Sequence, residues 1–381
     1  MSGISDRFPT TSLPLPDVPP RIGRLGGLRA TLLGSALGLT TIGLLTVRSA
    51  STELGAEYFT RQLVWVAAGL VAMVVAFAID YQKLLTGSLI LYLAGLAALL
   101  LVLPLGHRAG GAVGWFRVGS IGIQPSEFAK LATAVFLARY LSAESPRLLT
   151  LQQIGVVLGI AAAPMMLTAL EPDLGGAAMF VPMVAGLLLV AGVRLRFVVI
   201  AAAAVVVVAA VVWLFGMRDY QRQRVMTFLA PTTDPLGAGY QVRQSKIAVG
   251  SGRLTGRGYR QGTQSQLRFL PARHTDFILA VLAEERGFAG VAAVLGLYAG
   301  FLGAAAAAAQ RARDRGGLLL IVALGSIVAF HVLYNSAMVI GLVPITGIPL
   351  PFLSYGGSFT LVNWIVVGLI LNVDFRRHVN R

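Results

Sequence analysis

The sequence predicts an all-α polytopic membrane protein of about ten transmembrane helices, with both termini cytoplasmic and a large outer loop between the seventh and eighth helices. Three observations carry that prediction. Of 381 residues 56% are hydrophobic and only 12% charged, against roughly a quarter charged in an ordinary soluble domain. The mean hydropathy is +0.77, which suits lipid rather than water as the solvent. The apolar residues also fall into runs, most of them near the ~20 residues that a helix needs to cross a bilayer.

Residues 1–27 contain Pro9, Pro14, Pro16, Pro19 and Pro20 and no apolar core, so they read as a flexible, Pro-rich cytoplasmic tail rather than a cleaved leader. A single transmembrane domain is expected over 28–375. Its spans fall near 28–48, 59–79, 84–105, 126–142, 152–170, 174–193, 197–216, 276–309, 317–341 and 358–373, and 376–381 form a cytoplasmic C-tail. The spans are rich in Ala and Gly, which let helices approach closely. No internal repeat stands out, which counts against inverted-repeat transporter folds. With the N-terminus inside, fifteen Lys and Arg fall on the cytoplasmic side and four on the short outer segments, as the positive-inside rule requires.

There is no cysteine, which removes disulfides, thiolate chemistry and Cys-based metal sites. His107, His274, His331 and His378 are scattered and give no zinc-binding pair. The net charge of +15 is compatible with nucleic acid, anionic lipid or an anionic substrate, and its location decides between them. The outer loop at 217–275 holds ten cations: Arg218, Arg222, Arg224, Arg243, Lys246, Arg253, Arg257, Arg260, Arg268 and Arg273. Only Asp219 and Asp234 oppose them. One reading is a solvated or headgroup-binding loop. The other is a cradle for an anionic ligand at the membrane surface, with glycines such as Gly250, Gly256 and Gly262 letting backbone N–H groups approach a phosphate. Nucleic acid fits this location poorly.

Ionisable side chains at membrane depth are costly and point to function. Glu127 and Lys130, after Pro125, are three apart and so share a helix face. They are either a structural pair or the lining of a polar cavity. Glu171 and Asp173 occupy a tight turn, able to pair with a cation such as Arg48. The richest run is Pro271-Ala272-Arg273-His274-Thr275-Asp276, followed by Glu284 and Glu285. With Thr275 as N-cap, Asp276 would stand in the first helical turn, kept ionised by the helix dipole and nearby arginines. Glu284, roughly 80° around that helix from Asp276, is the better supporting carboxylate. The stretch 341–358 has three prolines between apolar residues and predicts a rigid, non-helical wall dipping into the bundle.

Four runs together resemble the SEDS family (shape, elongation, division and sporulation): QPSEFAK at 124–130, EPDLG at 171–175, PARHTDFILAVLAEERG at 271–287 and GLVPITGIPLPFLSYGGS at 341–358. The resemblance covers nearly the whole chain, and TGIPLPFLSYGG at 346–357 is closer to the RodA, cell-elongation branch. It implies a peptidoglycan glycosyltransferase that polymerises lipid II, with Asp276 as the catalytic general base. Arg243, Lys246, Arg253, Arg257, Arg268, Arg273, His274, Glu127, Lys130 and Glu284 are the expected substrate-binding set. Arg48 and Asp173 are the expected structural ion pair. No cofactor is required, although a divalent cation, Mg or Mn, could accompany the pyrophosphate. The implied partners are a class B penicillin-binding protein, the elongation machinery and membrane lipid. The implied location is the bacterial plasma membrane, with the active site on its extracytoplasmic face. A lipid-linked precursor flippase is the main alternative, and a scaffold that only recruits a synthase is a weaker one.

Overall fold

The computed structural model describes residues 22–52, 55, 57–109, 112–119, 121–143, 148–194, 197, 237–267 and 269–377. The first half comprises α1 (Ile22–Ala50), α2 (Glu57–Ala78), α3 (Tyr81–Thr86), α4 (Ser88–Leu105), α5 (Pro125–Ala143), α6 (Leu151–Leu170), α7 (Leu174–Ala178) and α8 (Phe180–Ala191). The second half comprises α9 (Ala238–Ser251), α10 (Thr263–Gln266), α11 (Ile278–Gln310), α12 (Arg315–Val339) and α13 (Gly357–Arg376). Eight helical segments among the described residues are long and apolar enough to cross a membrane. Helix α5 has a similar length, 19 residues, but carries Glu127, Lys130 and Arg139. The expected span at 197–216 lies outside the described residues.

Several elements differ from the sequence reading in detail. The third span begins as two helices that meet at Gly87, with Asp80 capping α3 through its carboxylate and the Gln82 N–H at 3.0 Å. The span at 174–193 divides into α7 and α8. A small antiparallel sheet, β1 (His107–Ala109), β2 (Ala112–Val118) and β3 (Ile121–Ile123), stands between α4 and α5. Nothing in the sequence announced it, because two of its strands are three residues long and Gly-rich neighbours blur the alternation. The part of the 217–275 segment that is described is not a simple loop, since it contains α9 and α10.

Close backbone approach explains much of the small-residue content. The last helix, α13, lies along α2, where a Cβ on Gly69 would stand 2.6 Å from the Trp364 ring. Buried Asn372 donates to the Ala76 and Phe77 carbonyls at 3.0 and 2.8 Å, which satisfies the last carbonyls of α2 that have no helical partner. At that end of the bundle Arg29 pairs with Asp374 at 2.6 Å and Arg376 with Asp80 at 3.2 Å.

Helix α11 is broken at Gly287, whose φ of 66° and ψ of −165° are non-helical. The backbone groups released there are taken up by the 253–258 segment. The Arg257 and Gly258 N–H groups donate to the Glu284 and Glu285 carbonyls, and the Phe288 and Ala289 N–H groups donate to the Arg253 and Leu254 carbonyls. Irregular backbone near a bilayer persists only when protein or water satisfies it in this way. A side chain at Gly287 would run into the Leu254 carbonyl at 2.5 Å, so both conformation and space require glycine.

Candidate active site

Residues 271–277 form a run of turns leading into α11, with Phe277 in the N-cap position and no side chain capping the helix. Asp276 therefore stands one residue ahead of the cap and not, as the spacing suggested, in the first helical turn. It is half-buried. Three successive carbonyls of this turn are fixed from across the fold. The Tyr355 N–H donates to the His274 carbonyl at 2.9 Å, the Ser354 hydroxyl to the Thr275 carbonyl at 2.7 Å, and the Asn335 amide to the Asp276 carbonyl at 2.8 Å. Asn335 is fully buried in α12 and gives its other amide hydrogen to the Ile348 carbonyl at 2.7 Å.

The segment that supplies these partners, 341–356, is non-helical and largely buried, with Ile348, Leu350, Phe352 and Leu353 in the core. Gln62 of α2 holds its far end, accepting from the Gly356 N–H at 3.1 Å and donating to Thr360 at 3.0 Å. Gly347, with φ of 77°, passes beside the catalytic candidate. A methyl there would stand 3.6 Å from Asp276 Oδ2. Rigid placement of a reacting group matters because a displacement of about 1 Å can cost ~100-fold in rate. Asn335→Ala should therefore lower kcat by roughly 10- to 100-fold with KM little changed. Initial-rate kinetics would check this, and an unaltered kcat would mean the turn is held without that amide.

A second polar centre adjoins the same segment through His331 and Pro349. Lys130 Nζ donates to Glu127 Oε1 at 2.8 Å, with both side chains nearly inaccessible. Together with His331 and Asn363 they line a narrow cleft between α5, α12 and α13. His331 Nδ1 donates to the Pro349 carbonyl at 2.9 Å, one turn of α12 from Asn335. Residues 348–349 thus connect the buried ion pair's surroundings to the Asp276 turn.

The other expected residues separate into distinct environments. On α9, the Ser245 hydroxyl donates to the Val339 carbonyl at 2.7 Å. Lys246 lies against Gly341, where the wall segment begins, and Arg243 is exposed one turn earlier. His274 is half-buried, with its ring edge-on to Tyr58 and Tyr355 at 5.1 and 5.7 Å. Burial, and then the Arg273 charge, lower its pKa and favour neutral imidazole. Arg273 itself is buried and its guanidinium donates to the Ser265 carbonyl. Arg253 and Arg257 are exposed beside the Gly287 break, about 14 Å along the helix axis from its start. Arg268 lies outside the described residues.

Two expectations are corrected. Glu284 is fully buried and accepts from the Gln264 and Ser265 N–H groups at 2.8 and 3.1 Å. It satisfies the first donors of α10, so its carboxylate is engaged in anchoring that helix instead of standing open beside Asp276. Arg48 and Asp173 do not pair. The Arg48 guanidinium sits 5.5 Å over the Phe59 ring, while Asp173 accepts from the Gly176 N–H at 2.8 Å and the Gln124 amide at 3.1 Å. The side-chain cap and the amide take the carboxylate locally. Asn335, Ser354, Gln62 and Gly347 escaped the sequence reading, although a lone amide such as Asn335 inside an apolar span was itself a signal.

Glu171, in the turn between α6 and α7, is fully buried, and among the described residues neither carboxylate oxygen has a hydrogen-bond partner. Burial, with Asp173 adding repulsion, pushes its pKa up from 4.5 to about 8. The folded state therefore binds a proton that the unfolded chain has released. The stability this proton contributes is complete below the ordinary carboxylate range and is lost as pH rises towards about 8. Glu171→Gln, which is neutral throughout, should flatten the pH dependence of the melting temperature across that window. An unchanged slope would mean that the carboxyl is ionised when folded.

Comparison with known proteins supplies the context for this geometry. The model of a family described as cell cycle protein, which takes in FtsW, RodA and SpoVE, matches residues 29–379. Peptidoglycan glycosyltransferase MrdB of Escherichia coli K12 is 38% identical over 352 residues, covering 92% of this chain and 94% of its own. Peptidoglycan glycosyltransferase RodA of Treponema pallidum is 31% identical, covering 91% and 97%. Among solved structures, a chain of a peptidoglycan synthase complex superposes with a TM-score of 0.79 at 29% identity, covering 91% of this chain and 97% of its own. The rod shape determining protein RodA of Thermus thermophilus superposes with a TM-score of 0.70 at 26% identity, covering 92% and 97%.

Proposed function

This chain belongs to the SEDS family of cell cycle proteins, with FtsW, RodA and SpoVE, and on that premise we propose how its site works. It is a peptidoglycan glycosyltransferase of the cell-shape branch, an integral membrane enzyme. Its substrate is lipid II, and its site faces the extracytoplasmic side of the bacterial plasma membrane. The Lys and Arg distribution supports that orientation.

The observation that carries the mechanism is the clamped turn at 274–276, which fixes one half-buried carboxylate between the wall segment and α12. The sugar hydroxyl of one lipid-linked disaccharide attacks the anomeric carbon of another. The new C–O bond forms as the bond to the pyrophosphate breaks. The hydroxyl proton passes to the Asp276 carboxylate, and the electron pair leaves on the lipid pyrophosphate. Direct displacement converts an α-linked donor into a β-linked product. Because pyrophosphate leaves readily, no second carboxylic acid is needed, unlike in most glycosidases. What helps is positive charge where the leaving group develops negative charge, a role we assign to Lys246 on α9, which lies against Gly341 at the start of the wall segment, with exposed Arg243 on the same helix.

Among the described residues no three His, Asp or Glu side chains converge to hold a resident metal. The donor set fits a divalent cation only if the pyrophosphate brings most of its oxygen ligands, and the proton transfer above runs through this chain's own carboxylate. The partner we assign is a class B penicillin-binding protein, in keeping with the synthase complex to which the fold is similar. The test is polymerisation of labelled lipid II by the purified chain with that partner, the partner's transpeptidase centre inactivated by mutation. Glycan polymer that requires this chain supports the reading. Its absence, with lipid II flipping in sealed vesicles instead, would replace it by transport.

A further inference from the structure

Beyond its break at Gly287, α11 is long and apolar enough to cross a bilayer by itself. Residues 288–310 are 23 in number and contain no charged side chain, about 34 Å of helix, which is enough to cross the hydrocarbon layer unaided. Arg311, Arg313 and Arg315 follow at the other end. Phe288 therefore sits at the boundary between hydrocarbon and headgroups, and it is 66% exposed. Leu254, brought alongside by the backbone exchange at Gly287, is also 66% exposed.

Directly around this apolar pair stand Arg253, Arg257, Arg260 and Arg286, all exposed. Arg260 and Arg286 share one aromatic platform, their guanidinium carbons 5.5 and 5.8 Å from the Tyr259 ring centre. The Tyr259 hydroxyl is fixed to the Leu45 carbonyl of α1 at 3.2 Å. Among the described residues no carboxylate is within ion-pair distance of any of the four. Two exposed guanidiniums held on one ring, with only the buried Glu285 carboxylate acting on Arg286 from a distance, can take an external anion, and guanidinium geometry matches phosphate. Apolar tips beneath and cations above are the arrangement that a phospholipid complements, acyl chain below and phosphate above.

We propose that this patch is a binding site for an anionic phospholipid of the leaflet on the active-site side. It anchors the irregular 253–262 segment to the membrane surface, separately from the Asp276 turn. The inference rests on the orientation proposed above only for which leaflet is bound. Its occupant is a membrane glycerophospholipid, not the substrate's pyrophosphate.

The test uses the full-length protein in detergent, with lipid retention read by native mass spectrometry. Titration with phosphatidylglycerol should leave at least about fivefold more bound lipid than phosphatidylcholine. Arg253→Gln, Arg257→Gln, Arg260→Gln and Arg286→Gln together should erase that preference, and the corresponding Lys variants should keep most of it. The protein carrying Asp276→Asn should retain the preference while losing polymerisation, which separates this proposal from the catalytic one. Equal retention of the two lipids by the unaltered protein would overturn the proposal without relying on any variant. A preference that survives the Gln substitutions would overturn it as well. Displacement of phosphatidylglycerol from the four arginines by undecaprenyl pyrophosphate would give the patch to the substrate instead.

Discussion

Asp276→Asn is expected to remove glycan polymerisation, lowering the initial rate by about 10²- to 10⁴-fold, the usual worth of a positioned general base. The amide has nearly the shape of the carboxylate but no basicity towards a sugar hydroxyl. The turn should survive the change, because three contacts that hold it use the backbone carbonyls of residues 274–276, which the substitution leaves in place. The melting temperature should therefore stay within a degree or two of the parent. Asp276→Glu supplies an informative contrast. It restores basicity but moves the oxygens by about the length of a methylene, and a misplacement of that size should still cost roughly 100-fold. Measuring initial rates and melting curves side by side separates chemistry from folding. Long glycan made by the Asn variant at the parental rate would end the general-base assignment, and inactivity with a collapsed melting temperature would assign Asp276 a structural role.

How much of this site could be read from residues alone depends on the kind of interaction. Asp276 and the Glu127–Lys130 pair were legible, because charge inside or beside an apolar span is rare and expensive, and the i,i+3 spacing fixes the pair's geometry whatever the tertiary fold. The non-helical wall at 341–356 was legible from its prolines. What could not be read were relations across the chain. Glu284 looked like a supporting carboxylate on angular grounds, but only the fold reveals α10 ending its first turn on that carboxylate. Arg48 and Asp173 are complementary in charge, yet an amide and a backbone N–H nearer to hand take the aspartate. The break at Gly287 falls in a run that reads as uninterrupted helix, since one glycine in an apolar segment is tolerated and gives no sign of φ. The ten-cation loop was legible as a charge excess, but not how its described cations separate: Lys246 lies against the wall segment at Gly341, Arg273 on the Ser265 carbonyl, and Arg253, Arg257 and Arg260 at the helix break.

Lys130→Met is the substitution with the largest expected effect on stability. It leaves Glu127 buried without its partner, and breaking a buried ion pair from one side typically costs about 3–5 kcal/mol. A strongly lowered melting temperature is expected, but that alone would not reveal whether the pair serves the fold or the reaction. Replacing both members with apolar residues of similar volume, Glu127→Leu with Lys130→Met, removes the unpaired charge, and such double changes are often neutral or stabilising. The double variant should recover most of the lost melting temperature. Its activity then discriminates between the two roles. The pair lines a cleft with His331 and Asn363, and His331 is tied to the same wall segment that Asn335 ties to Asp276. A pair that contacts substrate or sets the wall's position should leave the stable double variant at least about tenfold slower in polymerisation. A stable double variant that polymerises at the parental rate would make the pair purely structural, and would confine the reaction's charged groups to the surroundings of Asp276.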